Sequence, residues 1–303
     1  MSERKLPLFV KISRAKGKEK IKKIGLRVGL AIFILIFGWL LFRGLWQYAA
    51  TLPQYQLSPA TAKVTRAPSW LKEDFAKEVA RPSGLEENFS LLESGISQRL
   101  ADSFSRNPWV RKVKFVERDF SGKVRIGLIL RQPVAIVRKG VEFYLVDIDG
   151  RRLPGMWLKR RAVGLDLPLI INMEKGAPEV GEIWPGKDVC HGAAVAHCLT
   201  SFDLSQVNIT AIDVANVGGR FSPYQREIVL LTDKGTRILW GRAPHSSSPG
   251  ELTPATKIAL LLGVVSKEGG LDHLEYVDIS IHPPVKKLRA AFPYQTLDFT
   301  LSE

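Results

Sequence analysis

The residues best suited to chemistry lie in KDVCHGAAVAHCLTSF, residues 187–202, where Cys190 and Cys198 bracket His191 and His197. Thiolate and imidazole are zinc ligands, so this order has the composition of a metal box. Its spacing does not suit that role. The stretch reads as an amphipathic helix, and eight helical residues separate the sulfurs by about 12 Å of rise. A disulfide needs Cα atoms within about 7 Å, and spacings of six and seven do not converge four ligands on one ion. These are the only cysteines in the chain. Packed or capping side chains are expected here, without a metal.

His245–Lys257, HSSSPGELTPATK, sets three serines beside a histidine. Ser, Thr and Pro in this order also make a loop that enters a helix, and that is the expectation. Asp147, Asp149, Asp213 and Asp278 fall at strand ends or turns, and no spacing pairs them across a site. Asp149-Gly150 is a hairpin signal. No G-x-S-x-G elbow, H-E-x-x-H, P-loop or G-x-G-x-x-G occurs. No catalytic residue, cofactor or metal is expected.

The net charge is +14, and its location decides its meaning. Residues 1–27 hold ten Lys and Arg against Glu3 and Glu19, so +8 sits in the first 27 residues. A pI near 9.8 suggests nucleic acid, but a charged tail on a mildly basic body argues against a nucleic-acid groove. Val28–Phe42, VGLAIFILIFGWLLF, follows at once without a charge. Its 15 residues span about 22 Å. The flanks bring it to a bilayer core of about 30 Å, with Trp39, Trp46 and Tyr48 toward the distal interface. The expectation is a basic cytoplasmic tail at 1–27 and a signal anchor at 28–48, with the bulk of the chain extracytoplasmic. The competing reading is a cleaved signal peptide. The long basic region and the bulky Tyr48 before Ala50 argue against it. The tail also suits the anionic inner leaflet, at roughly 1 kcal/mol per basic residue near the surface.

After a connector at 52–56, the pattern predicts a short strand at 57–66 and helices at 69–78 and 89–104. Strands are expected at 113–117 and 124–130. Val113 and Phe115 share one strand face. Val124, Ile126, Leu128 and Leu130 alternate with Arg125, Gly127 and Ile129, the period of a half-buried strand. Two helices on one face of a three-stranded sheet are expected.

That order, with Pro108-Trp109-Val110 opening the second strand and Arg131-Gln132-Pro133-Val134-Ala135 closing the third, resembles a POTRA domain. More narrowly it resembles that of the FtsQ/DivIB family of bacterial division proteins. The likeness continues through Glu142–Leu153, which ends in a D-x-D-G turn, and through Leu167–Ile170. It includes two strands about Asp233-Lys234-Gly235, a helix over Thr253–Val265, and Leu274–Ile281, where Ser280 and Ile281 stand in place of the family's Arg and Tyr. The expected class is α+β: one transmembrane helix, a small POTRA-like domain at 55–137, a mixed, mainly antiparallel β domain with flanking helices at 138–291, and a tail at 292–303.

The resemblance implies a non-enzymatic scaffold of the division machinery in the inner membrane at the septum, docking FtsB-like and FtsL-like single-span proteins. The expected docking edge is the last pair of strands, through Tyr276, Asp278, Ser280, Ile281, Val285, Lys286, Lys287, Leu288 and Arg289. An unpaired sheet edge accepts a partner strand. Val113, Phe115 and Arg131 are the expected POTRA contacts. Lys286, Lys287 and Arg289 have two readings, contacts to an acidic partner or solvated edge charges. Two other classes stay open: an envelope-assembly factor and a membrane-anchored enzyme.

Overall fold

The computed structural model describes residues 8–57, 67–80, 89–90, 92–119, 123–244 and 249–289. The first element is one continuous helix, α1 (Leu8–Thr51). It contains no proline. It ends where Pro53 pushes the preceding residue out of helical space, with Leu52 at φ −67°, ψ 137°. Gly25–Thr51 forms an exposed apolar stretch of 27 residues. This is about 40 Å of helix, enough for a single membrane span or a signal sequence. The stretch runs past both ends of the expected 28–48 because Ala49 and Ala50 continue it at one end and Gly25 and Leu26 extend it beyond Arg27 at the other.

Then follow β1 (Gln56–Leu57), α2 (Glu73–Val79), β2 (Phe89–Ser90), α3 (Ile96–Ser105), β3 (Val110–Arg118) and β4 (Val124–Leu130). Two sequence expectations are corrected here. Phe89–Ser90 is strand and the helix begins only at Ile96, because Ser90 Oγ accepts the Leu92 N–H at 3.3 Å and Gly95 takes φ +78°. A short hydroxyl side chain offers the backbone such an alternative to a helical turn. Likewise, α2 starts after Lys72 rather than at Ser69, with Glu73 and Asp74 in its first turn, where carboxylates favour the helix dipole. Among the described residues β1 pairs with β2 and β3 with β4. In the described residues the strands form two two-stranded ribbons and not the expected three-stranded sheet. Residues 58–66 of the expected first strand lie outside the described residues.

Contacts divide the chain into two compact units. One holds Met1–Lys63, Gly84–Ser103 and Phe115–Ile126. The other holds Val64–Ser83, Phe104–Lys114 and Gly127–Glu303.

The second unit is built on an eight-stranded sheet. Its strands are β5 (Ala135–Lys139), β6 (Glu142–Val146), β7 (Leu169–Ile171), β8 (Ile209–Asp213), β9 (Ile228–Thr232), β10 (Arg237–Gly241), β11 (Leu274–Asp278) and β12 (Val285–Leu288). Their spatial order is β12-β11-β10-β9-β8-β7-β5-β6. Pairings β5–β7, β7–β8 and β10–β11 are parallel and the other four antiparallel, so the sheet is mixed.

Strand alternation splits the core between two faces. Val137, Val146, Ile170, Ile212, Leu230, Ile238 and Val277 point to one face, under α5 (Asp188–Leu199) and α6 (Pro254–Glu268). Ile136 and Leu145 point to the other, where Phe75 and Val79 of α2 meet Trp109 and Val163. Trp109 is fully buried, 4.9 Å from Phe75 ring to ring, and its Nε1 donates to Glu78 at 2.8 Å. The Pro-Trp-Val motif thus seats α2 on the sheet. Thr253 caps α6, accepting from Thr256 N at 3.2 Å, and Pro254 takes the first helical position. The tract 187–202 forms α5, as its periodicity predicts.

Candidate functional site

The edge is built by β12. It pairs with β11 in the register Asp278↔Val285, Val277↔Lys286 and Tyr276↔Lys287, and among the described residues no strand pairs with its outer side. Val285 and Leu288 are exposed. Tyr276 and Asp278 belong to β11, an interior strand, so the edge is β12 alone and not the expected pair. Pro283-Pro284 lies in the connection between them.

The basic side chains of this edge are tethered. Lys286 pairs closely with Glu268 at the end of α6, and Lys287 pairs with Glu275 at 2.8 Å. Arg289 donates to the Lys234 carbonyl at 3.0 Å. Hydrogen bonds from Lys286 and then from His273 hold the Glu268 carboxyl below its usual range, and the bond to Glu275 raises Lys287. Exposed pairs of this kind are screened by solvent and hold weakly, so an incoming carboxylate can exchange for Glu275 or Glu268 at small cost.

Beside the edge, the sheet face opposite α5 and α6 opens into a groove of about 390 Å³, lined in part by Arg226, Arg237, Leu239, Tyr276 and Asp278. Asp278 organises one side. Its Oδ2 accepts from Arg226 Nη2 at 2.9 Å and Nε at 3.1 Å. Its Oδ1 accepts from Ser280 N at 3.0 Å and Ser280 Oγ at 2.7 Å. Asp278 and Ser280 are buried and satisfied within the chain. They shape the site, while Ile281 stays exposed.

A loop between β8 and β9 forms the rim. The buried Asn216 holds it from within. Its Nδ2 donates to the carbonyls of Ser222 at 2.8 Å and Gln225 at 3.0 Å, and its Oδ1 accepts from Phe221 N at 2.8 Å and Ser222 N at 3.0 Å. The loop presents Phe221 and Tyr224, 70% and 94% exposed, beside the groove. Aromatic side chains on a pre-ordered loop are the usual anchors of protein recognition. Sequence reasoning passed over this loop. The signal was two aromatics in GGRFSPYQR, within a turn-rich segment.

The other expected residues stand elsewhere. Val113, half-buried, and Phe115, exposed, lie on the β3–β4 hairpin. Arg131 is largely buried, its Nη1 2.8 Å from Asp147 Oδ2 and 3.5 Å from Asp149 Oδ2. Asp147 Oδ1 accepts the N–H groups of Asp149 and Arg151. The D-x-D-G turn therefore closes on an arginine. Cys190 and Cys198 are free, and burial raises both thiols. Burial lowers His191. Among the described residues no three His, Cys, Asp or Glu converge to hold a metal.

Together these define an α+β protein with an N-terminal apolar helix and a mixed eight-stranded sheet in which, among the described residues, no strand pairs with the outer side of β12. No protein-family model matches the chain, and no curated protein matches it significantly.

Proposed function

We propose that this chain is a non-enzymatic, membrane-anchored scaffold of the bacterial division machinery, of the FtsQ/DivIB type. In this reading α1 is an uncleaved span, the basic N-terminus is cytoplasmic and the sheet lies outside the cytoplasm. The division partners are FtsB-like and FtsL-like single-span proteins.

The observation that carries the reading is the outer side of β12, unpaired among the described residues, next to a groove with an aromatic rim. A partner segment can add to the edge as a strand through backbone hydrogen bonds. It can then continue over the groove, where Tyr224 and Arg237 read its side chains. The likeness of motif order in the sequence supplies the biological setting.

The test is a photo-crosslinking amino acid at Val285 or Leu288 of the full chain, expressed in its host. Adducts with small single-span membrane proteins, absent from a control position on α6, support the scaffold. Adducts with outer-membrane proteins return the envelope-assembly reading. No adduct at either site removes edge docking.

A further inference from the structure

Residues 156–161, MWLKRR, lie between inward anchors. At one end Trp157 packs into the cluster of Phe75 and Trp109, meeting the Phe75 ring edge-on at 6.4 Å. Its backbone bridges to Phe143, with N···O distances of 2.8 and 3.0 Å in the two directions. At the other end Val163 closes the short helix α4 (Arg160–Val163) and is buried in the same cluster. Arg160 is tied back to the Leu167 carbonyl at 3.1 Å. What stands free of these tethers faces outward. Met156 and Leu158 are 50% and 66% exposed, and Lys159 and Arg161 are exposed beside them. Val141, in the turn between β5 and β6, is two residues from the bridge on the same rim and is also exposed.

Charge decides what such a projection meets. Residues 156–165 hold three basic side chains and no acid. Asp166 follows and stands 3.9 Å from Arg160. Lys72 lays its ammonium over Gly164 and adds a further cation. Among the described residues Lys72, Lys159 and Arg161 make no ion pair. Aliphatic side chains that stand out beside free cations have the composition of a membrane-surface contact. The apolar groups enter the boundary between headgroup and acyl chain, and the cations meet phosphate. An acidic protein surface offers the same charge, but a chain anchored through Gly25–Thr51 always has a bilayer at hand. A tethered projection needs little affinity of its own, because the surface is already at high effective concentration.

We propose that the projection 156–161 docks on the anionic phospholipid surface of the membrane that α1 spans, on its extracytoplasmic face. Met156 and Leu158 enter the interface, and Lys159, Arg161 and Lys72 contact lipid phosphates. This contact orients the eight-stranded sheet on the bilayer. The inference rests on the spanning reading of α1.

The experiment places an environment-sensitive fluorescent amino acid at Leu158 of the full chain. The chain is held in nanodiscs of phosphatidylcholine with or without phosphatidylglycerol, and quenching by lipids brominated on the acyl chain is read. The same probe at Ser266, exposed on α6, is the control. The expected result is quenching at Leu158 at least about threefold that at Ser266 in the anionic discs. It should fall to the control level in phosphatidylcholine alone, and also when Lys159→Glu and Arg161→Glu are combined. Thermal melting shows that this variant folds. Met156→Ser, which keeps every charge, should lower the quenching part-way. Equal quenching in both kinds of disc overturns the phosphate contact, and control-level quenching in anionic discs overturns the docking. A photo-crosslink from Leu158 to a host protein, without lipid quenching, gives the projection to an acidic protein partner instead. Alkaline extraction tests the span separately. A chain that resists extraction without quenching loses only the docking, and a chain that is extracted loses the span and the docking with it.

Discussion

Arg226 lays two nitrogens on one oxygen of Asp278, at 2.9 and 3.1 Å, and so ties the aromatic loop between β8 and β9 to the strand beside β12. Asp278 is opposite Val285 in the ladder. One carboxylate therefore links the rim, the groove floor and the edge. Arg226→Ala leaves a buried acid with its Ser280 contacts alone. Arg226 is about a third exposed, so the expected loss is modest, about 1–2 kcal/mol in denaturant unfolding. Partner affinity should fall further than stability does, because the loop that carries Tyr224 loses its tether. Equal loss in both would make the pair purely structural.

Val285 and Leu288 separate docking from folding most cleanly. Both are exposed on a strand that has one neighbour among the described residues, so changing both to Asp should shift stability by no more than about 0.5 kcal/mol each. The same change faces a partner strand with two charges and should weaken partner binding at least about tenfold by titration. Unchanged binding would move the docking surface off β12.

Much of the second unit was legible because its signals are local. The apolar runs Ile228–Thr232 and Arg237–Gly241 about Asp233-Lys234-Gly235 give a hairpin, and Thr253-Pro254 gives the start of α6. Three things were not legible. Strand partners in a mixed sheet are non-local, so nothing in Leu274–Asp278 reveals that β10 covers one side in parallel and β12 the other. The start of α3 depends on Gly95 adopting a positive φ, which overrides the helical spacing of Leu92, Ile96 and Leu100. The groove is made of residues as far apart as Asp213 and Asp278 and has no sequence signature. Phe221 and Tyr224 were visible as aromatics, but their exposure follows from the four hydrogen-bonding groups gathered by Asn216.

Gly150 is the position where the turn and the helix above it constrain one residue together. Its φ is +73°, and a Cβ there would stand 2.9 Å from the Cys190 Cα. Gly150→Ala combines a left-handed backbone with a backbone clash, so a loss of about 2–4 kcal/mol is expected. The Cys190 thiol reports it independently. Lifting α5 away from the turn should speed its reaction with a disulfide reagent, whereas a simple loss of stability without local opening would leave the native-state rate unchanged.

The Lys286–Glu268 tether predicts a pH dependence confined to the edge. Glu268 has its carboxyl pKa lowered in the folded chain, first by the hydrogen bond from Lys286 and then by that from His273. A depressed carboxyl pKa gives a contribution that is complete above the unfolded value, about 4.3, and is lost as pH falls through the lower folded value. Between pH 7 and pH 5 the tether should be constant. As pH falls below the unfolded value it should release, and amide exchange in β12, corrected for its intrinsic pH dependence, should accelerate before that of β10. Lys286→Met removes the partner and should flatten most of this difference, leaving the share owed to His273. If β12 and β10 open together in acid in both proteins, the tether does not hold the edge, and the outer strand is kept in place by its ladder with β11 alone.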